Sequence, residues 1–294
     1  MLLDIIHGFE QNPFFFYTIV FIFALCVGSF LNVVIHRFPI MMEREFKESC
    51  EDYFGTECPA QQSGVDQEGF NLIKPASCCP HCGHSIKPWQ NIPVLSYLML
   101  RGRCKGCKSK ISLQYPAVEL LTAALVTVTA IEFGPSWGFL AAAVLTLYLI
   151  AMSGIDIKIQ MLPDAMTLPL LWLGLLLSLK PLFVDPSQAI LGATLGYLSL
   201  WSVYWLFKLV TGKEGMGYGD FKLLALIGAW TGPSMLPLVI VLSAMSGAIL
   251  GLGLILIQGR DKAQPMPFGP YLAIAGWIAF LWGDRIMDSY LATF

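Results

Sequence analysis

Charge is what this chain has least of: Asp, Glu, Lys and Arg together fill 13% of its 294 positions, about half the share of an ordinary soluble domain. With 56% of residues hydrophobic, a soluble globular fold is excluded in favour of a membrane protein. Also missing is the apolar/polar alternation of a transmembrane barrel strand. "FFFYTIVFIFALCVGSF" and "LAAAVLTLYLIAMSG" are apolar on every side and read as helices. No Lys/Arg stripe lies on a soluble domain large enough to use one, which excludes a nucleic-acid partner, and a net charge of -2 selects no other. The first apolar run, about 13 to 36, lacks the basic start and small-residue cleavage site of a signal peptide and is too long for one, so it reads as a retained anchor. There is no evident internal repeat and no low-complexity tract.

What is present is a series of eight apolar segments, at about 14–36, 116–133, 137–155, 165–184, 188–210, 221–232, 234–257 and 269–291. They predict an all-α polytopic membrane protein of about eight transmembrane helices embedded in a lipid bilayer. The sixth segment is short. Twelve residues of helix reach roughly 18 Å, so it enters a bilayer only partway unless the loop before it is sunk in protein or lines a wet cavity. Three parts are expected: a first span (1–36), an insert (37–115) and a multi-helix membrane domain (116–294). Lys and Arg accumulate on the cytoplasmic side of membrane proteins. Only Lys180 and Arg285 fall on the other side if the insert is cytoplasmic, which puts both termini on the far, periplasmic side. Within the insert, 41–71 is polar and mixed in charge and reads as a loosely structured excursion.

"CCPHCGH" and "CKGC" supply two CxxC knuckles, Cys79/Cys82 and Cys104/Cys107. Two such knuckles present four thiolates tetrahedrally to zinc, with Gly83 and Gly106 expected to permit the tight turns. A disulfide pairing is the competing reading, disfavoured on the reducing side of a membrane. Four thiolates leave no open coordination position, so the zinc would be structural. Cys78, His81 and His84 are within reach but less well spaced. Cys26 reads as packing, and Cys50 and Cys58 receive no role.

Carboxylates at the predicted cytoplasmic edge are few: Asp156 and Asp164 in "SGIDIKIQMLPDAMTLP", Asp220 in "GMGYGD", and Glu119 at the start of the second segment. Asp164 follows a proline and precedes an apolar run, so helix capping competes with a site role. Glu119 is equally explained as a first-turn residue, Lys158 and Lys222 as anchors, and Asp156 as the partner of one of those lysines. Asp220 is harder to explain by capping, since Gly217 and Gly219 before it let the backbone take unusual torsions and another chain come close. Beside Asp156, it would form a pair that cannot both ionise, suited to peptide hydrolysis. An ion pathway and a purely structural pair stay open on the residues alone.

Taken together, "GSFLNVVIHRFP", "CPHCGHSIKPWQNIPVLSYLMLRGRCKGC", "ISLQYPAVELL", "IDIKIQMLPDAMTLPLLW", "GMGYGDFKLLALIGAW" and "PFGPYLAIAGW" resemble the type IV prepilin peptidases, bifunctional leader peptidases and N-methyltransferases of bacterial inner membranes. They run in order over nearly the whole chain. The resemblance implies aspartyl-protease roles for Asp156 and Asp220, as in the wider GxGD class, and a supporting role for Asp164. It implies prepilin or pseudopilin substrates cut after a glycine at the cytoplasmic membrane face. It further implies methylation of the new amino terminus by S-adenosylmethionine, whose site it does not locate. Asn32, His36, Arg37 and Glu119 are candidates there, against ordinary capping, anchoring and core hydrogen bonding. The stretch 41–71 matches the family least. The rival function is a proton-coupled transporter using Asp156, Asp164 and Asp220, but such a path spreads carboxylates through the membrane depth. A third reading, a docking platform without chemistry, leaves the Gly-Asp loop unexplained.

Overall fold

The computed structural model describes residues 8–55, 70–258 and 267–293. Cys58 and most of the polar stretch after residue 55 lie outside the described residues. The chain forms two compact units, 1–135 and 136–294. Among the described residues there is no strand, only two isolated bridges, and each of the eight apolar segments is a helix.

In the first unit, α1 (Pro13–Phe54) opens with proline at its first turn and closes at Gly55, whose φ of 64° supplies the left-handed cap. At about 1.5 Å per residue its 42 residues reach about 63 Å, roughly twice the hydrocarbon thickness. The expectation of a loose excursion from residue 41 is therefore corrected: 41–54 continues the first helix. Those positions are rich in Met, Glu, Lys and Arg and contain neither Gly nor Pro, so nothing in them stops a helix. Next comes the cysteine-bearing stretch with a short helix, α2 (Leu95–Met99), and then α3 (Gln114–Phe133). α1 packs along α3. A Cβ on Gly28 would lie 2.8 Å from the Glu119 Cα, so the close approach depends on glycine.

The second unit contains α4 (Trp137–Ile159), α5 (Asp164–Ser178), α6 (Pro186–Thr211), α7 (Tyr218–Thr231), α8 (Leu236–Gln258) and α9 (Gly269–Leu291). α7 is its centre, in contact with α5, α6, α8 and α9, and it is buried from Phe221 to Trp230 except at Lys222. A helix that is apolar all round needs such complete cover. Its crossing with α6 is made glycine on glycine: a Cβ on Gly192 would strike the Gly228 carbonyl, and one on Gly228 would strike the Gly192 carbonyl. Two indoles spend their N–H groups inside the bundle, Trp230 to the Leu170 carbonyl (3.0 Å) and Trp277 to the Thr146 hydroxyl (3.0 Å). By contrast Phe23, Trp172 and Leu206 face outward, as lipid-facing positions do. Among the described residues five stretches are long and apolar enough to cross a membrane, α1, α3, α4, α6 and Pro233–Gly251, with α5 a shorter apolar helix. The chain is a multi-pass membrane protein.

Candidate active site and cysteine cluster

Asp156 lies in the last turn of α4, which ends at Gln160 in a left-handed cap whose N–H returns to the Asp156 carbonyl (2.8 Å). Asp220 lies in the first turn of α7. Both are buried, and they are near enough for the charge on one to act on the other. Two helices, α5 and α6, connect the end of α4 to the start of α7.

Backbone hydrogen bonds fix both residues. The Gly269 N–H, at the start of α9, donates to Asp156 Oδ2 (3.0 Å), and a Cβ on Gly269 would stand 2.7 Å from that oxygen. At Asp220 it is the main chain that is held, its N–H donating to the carbonyl of Gly217 (3.2 Å), the N-cap of α7. No lysine reaches Asp156 among the described residues, which corrects the pairing considered from sequence. The glycines of "GMGYG" also act differently from expectation, because none of the three has positive φ. They serve close packing instead: Gly215 against Phe207, Gly219 against Leu162, and Gly217 beside the Asp220 carboxyl. Tyr218 fixes the loop by its ring contacts with Tyr204 (5.3 Å) and Phe221 (5.5 Å).

Asp164 makes no capping hydrogen bond. Both its oxygens accept from Lys222 Nζ at 2.6 Å, so the ion pair ties the first turn of α5 to the N-terminal part of α7. Asp164 still stands in the first turn of its helix, where the dipole favours a negative charge. Glu119 is the sixth residue of α3 rather than a first-turn residue, and it accepts the Val94 N–H (2.8 Å). Asn32 Nδ2 donates to the Tyr115 carbonyl (3.0 Å) and Arg37 to the carbonyls of Asn71 (2.9 Å) and Pro75 (2.7 Å), while His36 is exposed. Asn32, Arg37 and Glu119 thus hold α1, α3 and the cysteine stretch together within the first unit.

The four cysteine sulfurs, Cys79, Cys82, Cys104 and Cys107, all lie within 4.8 Å of one another. Cys79 Sγ is 3.8 Å from Cys107 Sγ and Cys82 Sγ is 4.0 Å from Cys104 Sγ. A tetrahedron with metal–sulfur bonds of about 2.3 Å has edges of about 3.8 Å, whereas a disulfide brings sulfurs to about 2.05 Å. The geometry fits a metal and excludes disulfides here. Each first cysteine is set by a paired loop: Gly83 N–H to Cys79 C=O and Cys79 N–H to His84 C=O, then Lys108 N–H to Cys104 C=O and Cys104 N–H to Ser109 C=O. The positive-φ residues are Gly83 (67°) and Lys108 (62°), not Gly106, which instead lies against Cys82 Sγ. Backbone hydrogen bonds from His81 and Cys82 push the Cys79 thiol down to about 6. Hydrogen bonds from the Ser109 side chain and backbone lower the Cys107 thiol. Cys82 goes the other way, to about 11: the backbone hydrogen bond at His84 favours its thiolate, but burial and the surrounding sulfurs outweigh it. Four sulfurs this close suit a cation, which would hold all four as thiolates.

A many-helix membrane fold with a carboxylate pair at one end of its bundle and a four-cysteine cluster on a separate unit narrows the class considerably. Residues 22–133 match the bacterial peptidase A24 N-terminal domain and residues 143–252 match the type IV leader peptidase family. The chain is 54% identical to a prepilin leader peptidase/N-methyltransferase of Aeromonas hydrophila over 100% of this chain and 99% of the relative. It is 54% identical to that of Stutzerimonas stutzeri over 96% of both chains, and 53% identical to that of Pseudomonas aeruginosa over 96% of this chain and 95% of the relative. No solved structure matches. This chain belongs to the type IV leader peptidase family.

Proposed function

We propose that the chain is a bifunctional membrane enzyme. As an aspartic endopeptidase it removes the leader of type IV prepilins and pseudopilins after a glycine, at the cytoplasmic face of a bacterial inner membrane. It then methylates the new amino terminus. The observation that carries the peptidase reading is the juxtaposition of Asp156 and Asp220. Two buried carboxyls that sense each other share a proton over a wide pH range. The ionised member takes a proton from water as the water attacks the scissile carbonyl, and the protonated member hydrogen-bonds the developing oxyanion. Collapse of the tetrahedral species breaks the C–N bond, and the leaving amine takes a proton from the pair. Gly217 places no side chain beside the Asp220 carboxyl, and Gly219 makes room for Leu162 next to it. Asp164, through Lys222, supports the first turn that carries Asp220. A substrate helix arrives laterally from lipid while its basic leader stays in the cytoplasm. An ion path would need carboxylates through the membrane depth, and the family match lends it no support.

For methyl transfer the donor is S-adenosylmethionine, and the acceptor is an α-amine. With an ordinary pKa of about 7.7–8.0, that amine offers its lone pair near neutral pH with modest help. The cysteine tetrad is read as a closed, structural zinc site held by Cys79, Cys82, Cys104 and Cys107. The ion would supply the positive charge that four thiolates require.

The test is mass spectrometry of a pilin precursor incubated with purified protein and S-adenosylmethionine. Wild type should yield mature, methylated pilin. Asp156→Asn and Asp220→Asn should each lose cleavage by roughly 10²–10⁴-fold, the range for removing a general acid or base, while remaining inserted. Near-normal processing by either correctly inserted variant would sink the pair as the catalytic centre.

A further inference from the structure

From Phe70 to Val118 the sequence has seven Lys or Arg residues and not one Asp or Glu, with five of the seven between Arg101 and Lys110. Among the described residues none of those five is in an ion pair. Two of them, Arg101 and Arg103, follow within a few residues of a short helix that exposes an apolar face, and Lys110 is bridged back to Arg103. α2 exposes Leu95 (58%), Leu98 (64%) and Met99 (82%), positions three and four apart that share one side of a helix. The chain then reverses through Arg101 and Gly102, both at positive φ, with the Gly102 N–H bonded to the Tyr97 carbonyl (2.9 Å). Alanine at 102 would put a Cβ 2.7 Å from the Tyr97 hydroxyl. Arg103 pairs with Lys110 across an antiparallel bridge, and Arg101, Arg103, Lys110 and Leu113 line one open cleft of about 560 Å³. Leu113, 71% exposed, is the N-cap of the membrane helix α3.

Such a cluster of large apolar side chains is rarely left in water. Its position decides what covers it. Lys110 is only three residues from Leu113, within about 10 Å along the chain, so the patch begins where α3 enters lipid. Apolar tips flanked by unpaired Arg and Lys complement a negatively charged bilayer surface, where basic side chains are attracted and aliphatic ones enter the interface. A basic peptide such as a prepilin leader would be repelled.

We propose that residues 87–113 dock on the anionic leaflet of the bilayer that holds α3, with Leu95, Leu98, Met99 and Leu113 in the headgroup region and Arg101, Arg103 and Lys110 on lipid phosphates. The docking does not depend on the peptidase reading. It would pin the cysteine-bearing stretch to the membrane surface.

Hydrogen–deuterium exchange of the full chain tests it in three settings: phosphatidylglycerol nanodiscs, phosphatidylcholine nanodiscs, and the latter with inorganic phosphate added. Exchange across 92–113 should be several-fold slower in phosphatidylglycerol than in the other two. Leu95→Ser/Leu98→Ser/Met99→Ser and Arg101→Gln/Arg103→Gln/Lys110→Gln should each lose that difference while α3 stays protected. Equal exchange in the two lipids overturns the proposal. So does equal protection by free phosphate, which would mark a soluble-anion site, or protection that follows the number of chains per disc, which would mark a second copy. If a variant also loses α3 protection, the wild-type lipid comparison decides alone.

Discussion

A backbone amide holds Asp156, and this is the residue-scale feature that no side chain could have flagged. Asp156 stands at the carbonyl end of α4, where a negative charge is disfavoured by the helix dipole, and the N–H of Gly269 at the start of α9 offsets that. Gly269→Ala would force a methyl to within 2.7 Å of the carboxylate oxygen and displace either the carboxyl or the amide. A hydrogen bond to a charged group is worth about 1.5–3 kcal/mol, so leader cleavage should fall roughly 10- to 100-fold. Methylation of pre-cleaved pilin should persist. Unchanged kcat/KM for cleavage in this variant would remove Gly269 from the positioning of Asp156. Asp156 and Asp220 were legible in sequence because carboxylates are few and topology gathers them on one face. Gly269 and the Asp164–Lys222 pair were not, because their partners lie 113 and 58 residues away along the chain. The knuckles repeat the lesson. The four sulfurs follow from spacing, yet the positive-φ turn of the second knuckle falls on Lys108 where Gly106 is the obvious candidate.

At the scale of elements, apolar runs locate helices well and locate their ends less well. All eight segments are helices, since a run that buries no polar face has little alternative in lipid. The end of α1 was missed because hydropathy stops reporting once the chain leaves the apolar region, whereas backbone propensity carries the helix on to Gly55. The shortness of α7, 14 residues, was legible, but its function as the bundle centre was not. That role rests on the α6–α7 glycine contact, where each Cα faces a carbonyl of the other helix. Gly192→Ala and Gly228→Ala should each overpack the crossing, at about 1–3 kcal/mol. The detergent-solubilised protein should then melt roughly 2–12 °C lower. Melting unchanged in both variants would mean that the two helices part freely and that the crossing is not what holds α7 in place.

At the scale of the whole molecule, the apolar segments that are helices among the described residues number eight, leaving out the short α2, so if all eight cross, both termini share one side. Two helices, α5 and α6, separate the end of α4 from the start of α7, so Asp156 and Asp220 share a side as well, whichever way the protein is inserted. What chooses the side is charge. If all eight segments cross, every Lys and Arg except Lys180 and Arg285 would fall on one side, and the basic-rich side is cytoplasmic. A prepilin whose basic leader remains in the cytoplasm needs the carboxylates there, so orientation and chemistry make the same demand from independent residues. Alkaline phosphatase, active only after export, distinguishes the two arrangements. Fused after Phe294 it should be active, and inserted after Gly55 it should be inactive. The reverse pattern would place Asp156 and Asp220 outside, away from any cytoplasmic leader, and would contradict the proposed orientation and the route of substrate entry together.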